Sequence, residues 1–348
     1  MKKNLVVIGY GGMGGWHVDH ALKSDVVALK GVYDIKEDRN ELARSRGIFA
    51  YDSFEQVLAD KDVDLITIAV PNEMHKEIAI RALDAGINVI SEKPVTLSCA
   101  DLQEMIDASK RNNKLFTVHQ NRRWDVDFLA MKKLHDSGEI GEIFSIESRI
   151  HGSRGIPSDW RGEKEHGGGM LYDWGIHLID QILQIYTEKI DRIYCTFEHI
   201  TNKEVDDGFR LEIYFENGAD AHIETETYNF IAMPRFYMRG KKGTALIRDW
   251  RENAKVVKCK YWHENDVLPV QTAAGLTKTM APRDSVTVDE YECERPQSDV
   301  HDFYRNVCKA IDGIEPQLVT HAQMMRVMKV VEAAFASVES GSVVKFEE

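Results

Sequence analysis

Leu5-Val6-Val7-Ile8-Gly9-Tyr10-Gly11-Gly12-Met13-Gly14 decides the fold class. A short apolar run reads as a buried strand, and Gly9, Gly11 and Gly14 then supply the Gly-x-Gly-x-x-Gly pattern. In a strand–loop–helix unit the first glycine makes the tight turn and the second admits a pyrophosphate. The third lets the helix pack on the strand, with the helix N-terminus facing the phosphates. The glycine pattern alone is weak, but Asp34 ends the next apolar run, twenty residues beyond Gly14. A carboxylate there accepts from adenosine ribose hydroxyls and disfavours a 2′-phosphate. The combination predicts a site for NAD over NADP, built from Gly9, Tyr10, Gly11, Gly12, Met13, Gly14 and Asp34.

Outward from this stretch, apolar runs at 5–8, 26–33, 65–70, 87–90 and 115–118 alternate with amphipathic segments at 13–23, 37–46, 53–60, 73–85 and 99–112. That alternation predicts an α/β domain over residues 1–122, with a doubly wound parallel sheet. Open sheets of this kind bind ligands at the carboxyl ends of their strands. Val70-Pro71-Asn72 and Glu92-Lys93-Pro94 fall there, and His75 follows closely. A surface-helix role suits His75 equally well. Lys93 stands before a proline at the end of an apolar strand, which favours a functional charge over a solvated one.

Beyond a linking helix at 124–137 the pattern changes to strands at 142–150, 190–198, 209–215, 219–228, 235–239 and 244–248, with turns at Asn217-Gly218 and Lys242-Gly243. Residues 123–348 are therefore expected to form a second α/β domain on a large open, mostly antiparallel sheet. Helices at 169–186, 300–311 and 321–340 are expected to cover one face. Leu211, Ile213, Phe215 and Ile223 alternate with the partly polar Glu212, Tyr214, His222 and Glu224, so the other face is expected to meet a partner subunit in a homo-oligomer. Residues 249–295 are long and polar, with a Gly/Thr/Ala-rich stretch at 271–281. They read equally as a mobile loop that lines a site for a bulky glycoside or makes a subunit contact, and as a surface excursion.

The segment His166-Gly-Gly-Gly-Met-Leu-Tyr-Asp173-Trp-Gly-Ile-His177 carries the chemistry. A glycine run enters a helix whose i,i+4 spacing puts Asp173 and His177 on one face. Oxidising a secondary alcohol needs a base for the hydroxyl proton, and an imidazole titrates nearest neutrality. Lys93 suits the stabilisation of a developing alkoxide, although a desolvated lysine also serves as a base. The pattern leaves the choice between His177 and Lys93 open. An isolated Asp-x-x-x-His more often holds a cap and a core histidine. A zinc reading through His166, Asp173 and His177 lacks a further ligand at a persuasive spacing, so no metal is expected.

The 348 residues carry a net charge of -13, which argues against a nucleic-acid surface and favours small-molecule chemistry. Five scattered cysteines without a Cys-x-x-Cys pair suggest a reducing, cytoplasmic setting. No apolar run has membrane-spanning length, and the basic start lacks a signal-peptide cleavage site.

The glycine loop, Val70-Pro71-Asn72, Glu92-Lys93-Pro94, Asn121-Arg122-Arg123-Trp124, Asp159-Trp160-Arg161 and Gly168 to His177 together resemble the glucose-fructose oxidoreductase / inositol dehydrogenase / MocA family, from residue 1 to about 340. The resemblance implies a Rossmann domain, a second domain whose open sheet forms oligomers, and NAD-linked chemistry on carbohydrates, cyclitols or related carbonyl compounds. It implies a catalytic set of Lys93, Asp173 and His177. Cofactor contacts would include Val70, Pro71, Asn72, His75, Glu92, Lys93, Asn121, Trp160 and Arg161. Substrate contacts would include Lys93, Arg122, Trp124, Asp173 and His177. The preferred expectation is oxidation at C3 of a sugar or glycoside. The alternatives are an inositol dehydrogenase, a lyase or glycosidase that oxidises C3 transiently with bound NAD, and a non-catalytic sensor.

Overall fold

Five short apolar strands form the first sheet: β1 (Lys3–Ile8), β2 (Val27–Tyr33), β3 (Leu65–Ile68), β4 (Asn88–Ser91) and β5 (Phe116–Val118). All pair in parallel, in the order β2-β1-β3-β4-β5. In this computed structural model, which describes residues 1–261, 269–278, 280 and 282–348, β3 to β5 are buried along their whole length. Burial on both faces is why their sequences read as continuous apolar runs. The crossovers are α1 (Gly12–Ala21), α2 (Glu37–Ser45), α3 (Phe54–Ala59), α4 (His75–Asp84) and α5 (Cys99–Asn112). Ser53 and Ser98 cap α3 and α5 by accepting the N–H groups of Gln56 and Asp101, at 3.2 and 3.1 Å.

After α6 (Val126–Ser137) the second sheet uses β6 (Ile143–His151), β7 (Ile190–Glu198), β8 (Gly208–Phe215), β9 (Asp220–Glu226), β10 (Phe236–Gly240), β11 (Gly243–Ile247) and β12 (Ala254–Cys259). A separate hairpin of β13 (Val270–Thr272) and β14 (Gly275–Thr277) precedes β15 (Val288–Cys293), and β16 (Val344–Lys345) closes the far edge. The order is β15-β12-β11-β10-β6-β9-β8-β7-β16, antiparallel throughout except for β6 with β9. Helices α7 (Ile176–Ile185) and α9 (His321–Ser340) lie on one face. Ser337 of α9 accepts the backbone N–H of Cys195 in β7 at 2.9 Å.

Two expectations are corrected. Helix α8 (Asp302–Ile311) does not cover the large sheet but returns to the first domain. Its Tyr304 bonds His17 at 2.6 Å, its Arg305 pairs with Asp25 at 3.1 Å, and His301 just before it bonds Ser24 at 2.6 Å. Residues 249–295 are not one excursion, because β12 and β15 extend the sheet there. Only β15 is an edge strand, tied to β12 by cross-strand ion pairs such as Lys255–Glu290 at 2.6 Å, and its sequence lacks the apolar alternation that marks a strand. Of the 271–281 stretch, residues 279 and 281 lie outside the described residues, and part of the rest is the β13–β14 hairpin.

Leu211, Ile213, Phe215 and Ile223 face the covered side and are buried. The opposite face is charged and self-paired: His222 bonds Glu212 at 2.6 Å, His151 bonds Glu224 at 2.7 Å, and Arg210 reaches Glu198 at 2.7 Å. The carboxylates beside His222 outweigh its burial and push its pKa up to about 9. Among the described residues no helix is long and apolar enough to cross a membrane. The five cysteines are free.

Candidate active site

The glycine loop is shaped by what a side chain would strike. Gly9 has φ 90°, and a Cβ there would sit 2.4 Å from the carbonyl oxygen of Ala69. A Cβ on Gly14 would sit 1.8 Å from the Gly9 carbonyl oxygen, so helix α1 can approach β1 only with glycine at that position. Gly11 and Gly12, by contrast, have nothing within 4 Å of a Cβ position. No side chain caps α1, so its first N–H groups lack a side-chain partner, as a phosphate site at a helix N-terminus requires. Met13 is exposed on that first turn. Asp34 is held at the rim, its carboxylate accepting the backbone N–H groups of Tyr10 at 2.6 Å and Lys36 at 2.8 Å. The buried Tyr10 ring receives a hydrogen bond on its hydroxyl from Arg46.

Val70, Pro71 and Asn72 leave β3 at the carboxyl edge. His75 is buried beneath them, its Nδ1 2.9 Å from the Pro94 carbonyl and its Nε2 3.0 Å from the Val70 carbonyl. Burial lowers the His75 pKa, so the neutral ring donates its single N–H to one of these carbonyls and packs against the other, and the buried side chain braces the two loops from below. Asn72 donates to the His166 carbonyl at 2.9 Å, and Glu73 bonds His166 at 2.9 Å. These contacts seat the second domain's 160–169 loop on the first domain.

Lys93 crosses the same gap. Its ammonium donates to the Asp173 carboxylate at 2.7 Å and to the Asp173 carbonyl at 2.8 Å, leaving one of three N–H donors free. Arg161 holds the other Asp173 oxygen at 3.0 Å and lies over the Trp160 ring at 4.6 Å. Burial resists ionisation of Asp173, but the Lys93 and Arg161 charges overcome it and hold the carboxyl below its ordinary range. Asp173 sits in a π-helical turn, Leu171–Gly175, that runs directly into α7 with His177 in its first turn. The expected single helix over 169–186 is thus a wide turn followed by an α-helix, a local irregularity common at functional sites. Asp206 anchors this start by accepting the Leu171 N–H at 2.8 Å, and it occupies the space a Gly169 side chain would need.

His177 is buried, and its Nδ1 lies 3.2 Å from Gln120 Oε1. An amide oxygen only accepts, so Nδ1 carries the proton and Nε2 presents a lone pair that no described residue engages. Burial, reinforced by the charges of Lys93 and Arg122, keeps the His177 pKa well below its ordinary value. The ring is therefore a neutral acceptor at neutral pH. Gln120 carries no motif signal in the sequence; only its place just after β5 exposes it as a partner.

Glu92 turns the other way, into the first domain. One of its oxygens accepts from His17 and from His119, each at 2.7 Å, and the other accepts the Lys93 backbone N–H at 3.2 Å. His17 continues to Tyr304 at 2.6 Å. Burial opposes the charge on Glu92, but the two histidines prevail and keep its carboxyl well below the usual range.

The arginine and tryptophan inventory divides. Arg123 is a tie, clamping Asp180 at 2.6 and 2.7 Å and the Leu318 carbonyl at 2.9 Å. Trp124 packs edge-on against Phe303. Asn121 lies in a short turn, its N–H bonded to the His119 carbonyl at 2.9 Å. Arg122 instead lies 4.0 Å over the Trp174 ring, and Trp174 stands edge-on to His177 at 6.2 Å. Trp250, which no motif marks, approaches Trp174 at 6.2 Å. His166, Asp173 and His177 are not assembled as a ligand set: His166 pairs with Glu73 while the Asp173 oxygens are held by cations.

Residues 3–120 match the model described as an oxidoreductase family with an NAD-binding Rossmann fold, and residues 128–246 match the GFO/IDH/MocA C-terminal domain. A solved NAD-binding protein from Listeria innocua is 43% identical, with 99% of each chain covered and a TM-score of 0.94. An uncharacterized oxidoreductase of Schizosaccharomyces pombe is 32% identical over 53% of each chain, so this chain spans about half the length of that curated relative. The myo-inositol 2-dehydrogenase of Thermotoga maritima is 25% identical over 72% of this chain and 77% of its own. With both domain matches and a full-length relative, the chain belongs to the Gfo/Idh/MocA family of NAD(P)-binding oxidoreductases.

Proposed function

We propose that this protein oxidises a secondary hydroxyl of a sugar or glycoside, at C3, to a ketone, with an inositol as the alternative substrate. The observation that carries the reading is His177, neutral and buried, with Nδ1–H directed at Gln120 and Nε2 unengaged beside the Lys93 charge. Nε2 would take the hydroxyl proton. The remaining Lys93 N–H would donate to the same oxygen as negative charge develops, with the ammonium held by Asp173, which Arg161 holds in turn. On this reading His177 is the base and Lys93 the cationic donor.

NAD, seated on the Gly9–Gly14 loop with its ribose at Asp34, would accept the hydride from the carbon. Val70, Pro71 and Asn72 would border the nicotinamide end. Asp34 supports NAD over NADP, because a carboxylate held at that rim repels a 2′-phosphate. A second copy of the chain would cover the charged outer face of the large sheet, in a cytoplasmic homo-oligomer.

NADH absorbance with a panel of inositols, hexoses and glycosides tests the reading. Stoichiometric NADH from at least one polyol supports it. Release of an aglycone without net NADH would favour transient oxidation with bound NAD, and no turnover or binding of any polyol would overturn both.

A further inference from the structure

Trp250 is a large aromatic side chain in the turn after β11, and it keeps 40% of its surface exposed. A solitary exposed tryptophan is unremarkable, but this one is not solitary. Its ring is tilted 37° to Trp174 at 6.2 Å, and Trp174 stands edge-on to His177 at 6.2 Å. Arg122 lies 4.0 Å over Trp174 and is held by Asp125 at 3.0 Å. The result is a run of aromatic rings from the His177 imidazole through Trp174 to the partly exposed Trp250. Its inner end already has a cation and an acid–base pair. At its outer end the Trp250 indole meets Trp174, while Arg295 engages the Trp250 backbone carbonyl at 3.3 Å and not the ring.

We propose that Trp250 and Trp174 form an outer subsite for a second ring carried by the substrate, so that the substrate is an aryl glycoside and not a free monosaccharide or cyclitol. This rests on the function proposed above. A sugar ring placed with one hydroxyl at His177 and Lys93 would project its glycosidic substituent along these rings. A flat apolar ring, unlike a hydroxylated one, gains from stacking on an indole without needing polar partners. Arg122 covers part of Trp174, which leaves the less constrained Trp250 as the residue that contributes most to this contact.

The test is calorimetric titration of phenyl β-D-glucopyranoside, and of glucose as the one-ring control, into the protein saturated with NADH, where no turnover occurs. The subsite predicts that the phenyl glucoside binds at least about tenfold more tightly than glucose. In Trp250→Ala that advantage shrinks to about twofold or less, and Trp250→Phe restores much of it, as a stacking role requires. Equal affinity for the two ligands in the unsubstituted protein would overturn the proposal, as would an unchanged ratio in Trp250→Ala. Glucose or an inositol generating NADH while the phenyl glucoside gains nothing would leave the oxidoreductase reading standing and remove the outer subsite alone.

Discussion

Glu92 and Lys93 are chain neighbours with opposite tasks. Lys93 leaves the first domain and spends two of its donors on Asp173, keeping one for a ligand. Glu92 turns inward, where His17 and His119 share one of its oxygens in a buried network that continues to Tyr304 of α8. One motif thus serves chemistry through one residue and architecture through the next. The difference predicts that the two positions fail differently when altered.

The largest effect is expected at Lys93. Lys93→Met should lower turnover by about 10²–10⁴-fold while the fold persists, read from initial rates of NADH formation and from circular dichroism. Turnover close to normal would dissolve the distinction between the two residues. Glu92→Ala should instead cost about 3 kcal/mol of stability, because it strands two buried imidazoles that share its carboxylate. Urea denaturation checks this, and a loss no larger than that of Lys93→Met would contradict the architectural role. Next in size, Asp34→Ala should narrow the preference for NAD over NADP by about tenfold, since the repulsion of a 2′-phosphate goes with the carboxylate. An unchanged ratio of kcat/KM values would remove Asp34 from the ribose.

A subtler contrast concerns pH. Burial pushes the Asp206 carboxyl up to about 8, while Asp173, equally enclosed but paired with Lys93 and Arg161, is held low. A carboxyl whose folded pKa exceeds its unfolded value binds its proton more tightly when folded. Its contribution is therefore complete below about pH 4 and is lost progressively as pH rises towards 8. Asp206→Asn should still accept the Leu171 N–H and should flatten the fall in thermal midpoint across that window. An equally steep fall in the variant would place the dependence elsewhere. The smallest expected effect is on catalysis: with the His177 pKa depressed by burial and by Lys93, kcat/KM should change less than about twofold between about pH 6 and 7.5. A sharp drop near pH 6.5 would mean that the imidazole titrates there.

The same pair of neighbours shows what the sequence discloses. The parallel sheet and its glycine loop were legible because their causes are local: apolar runs buried on both faces, and glycines at fixed spacing. Lys93 stood out through its proline and its strand end. The partners of Glu92 did not, since His17 and His119 lie 75 and 27 residues away and meet only through the fold. Gln120 was passed over for a similar reason, its role being set by an imidazole 57 residues on. Helix α8 was assigned to the wrong layer because an amphipathic stripe records that a face is buried, not against which sheet. The edge strand β15 is hard to read because its Asp289 and Glu290 pair with Lys260 and Lys255 in place of an apolar alternation. His75 reads as available for the cofactor, yet its ring is buried between the carbonyls of Val70 and Pro94, one of which takes its single N–H.

The account's central claim is that His177 takes the proton as hydride leaves carbon. Single-turnover NADH formation by His177→Ala, with NAD and a polyol that the unsubstituted protein oxidises, tests it most directly. A rate about 10²–10⁴-fold below that of the unsubstituted protein, with NAD affinity retained, is the predicted result. NADH formed at a near-normal rate without this imidazole would contradict it.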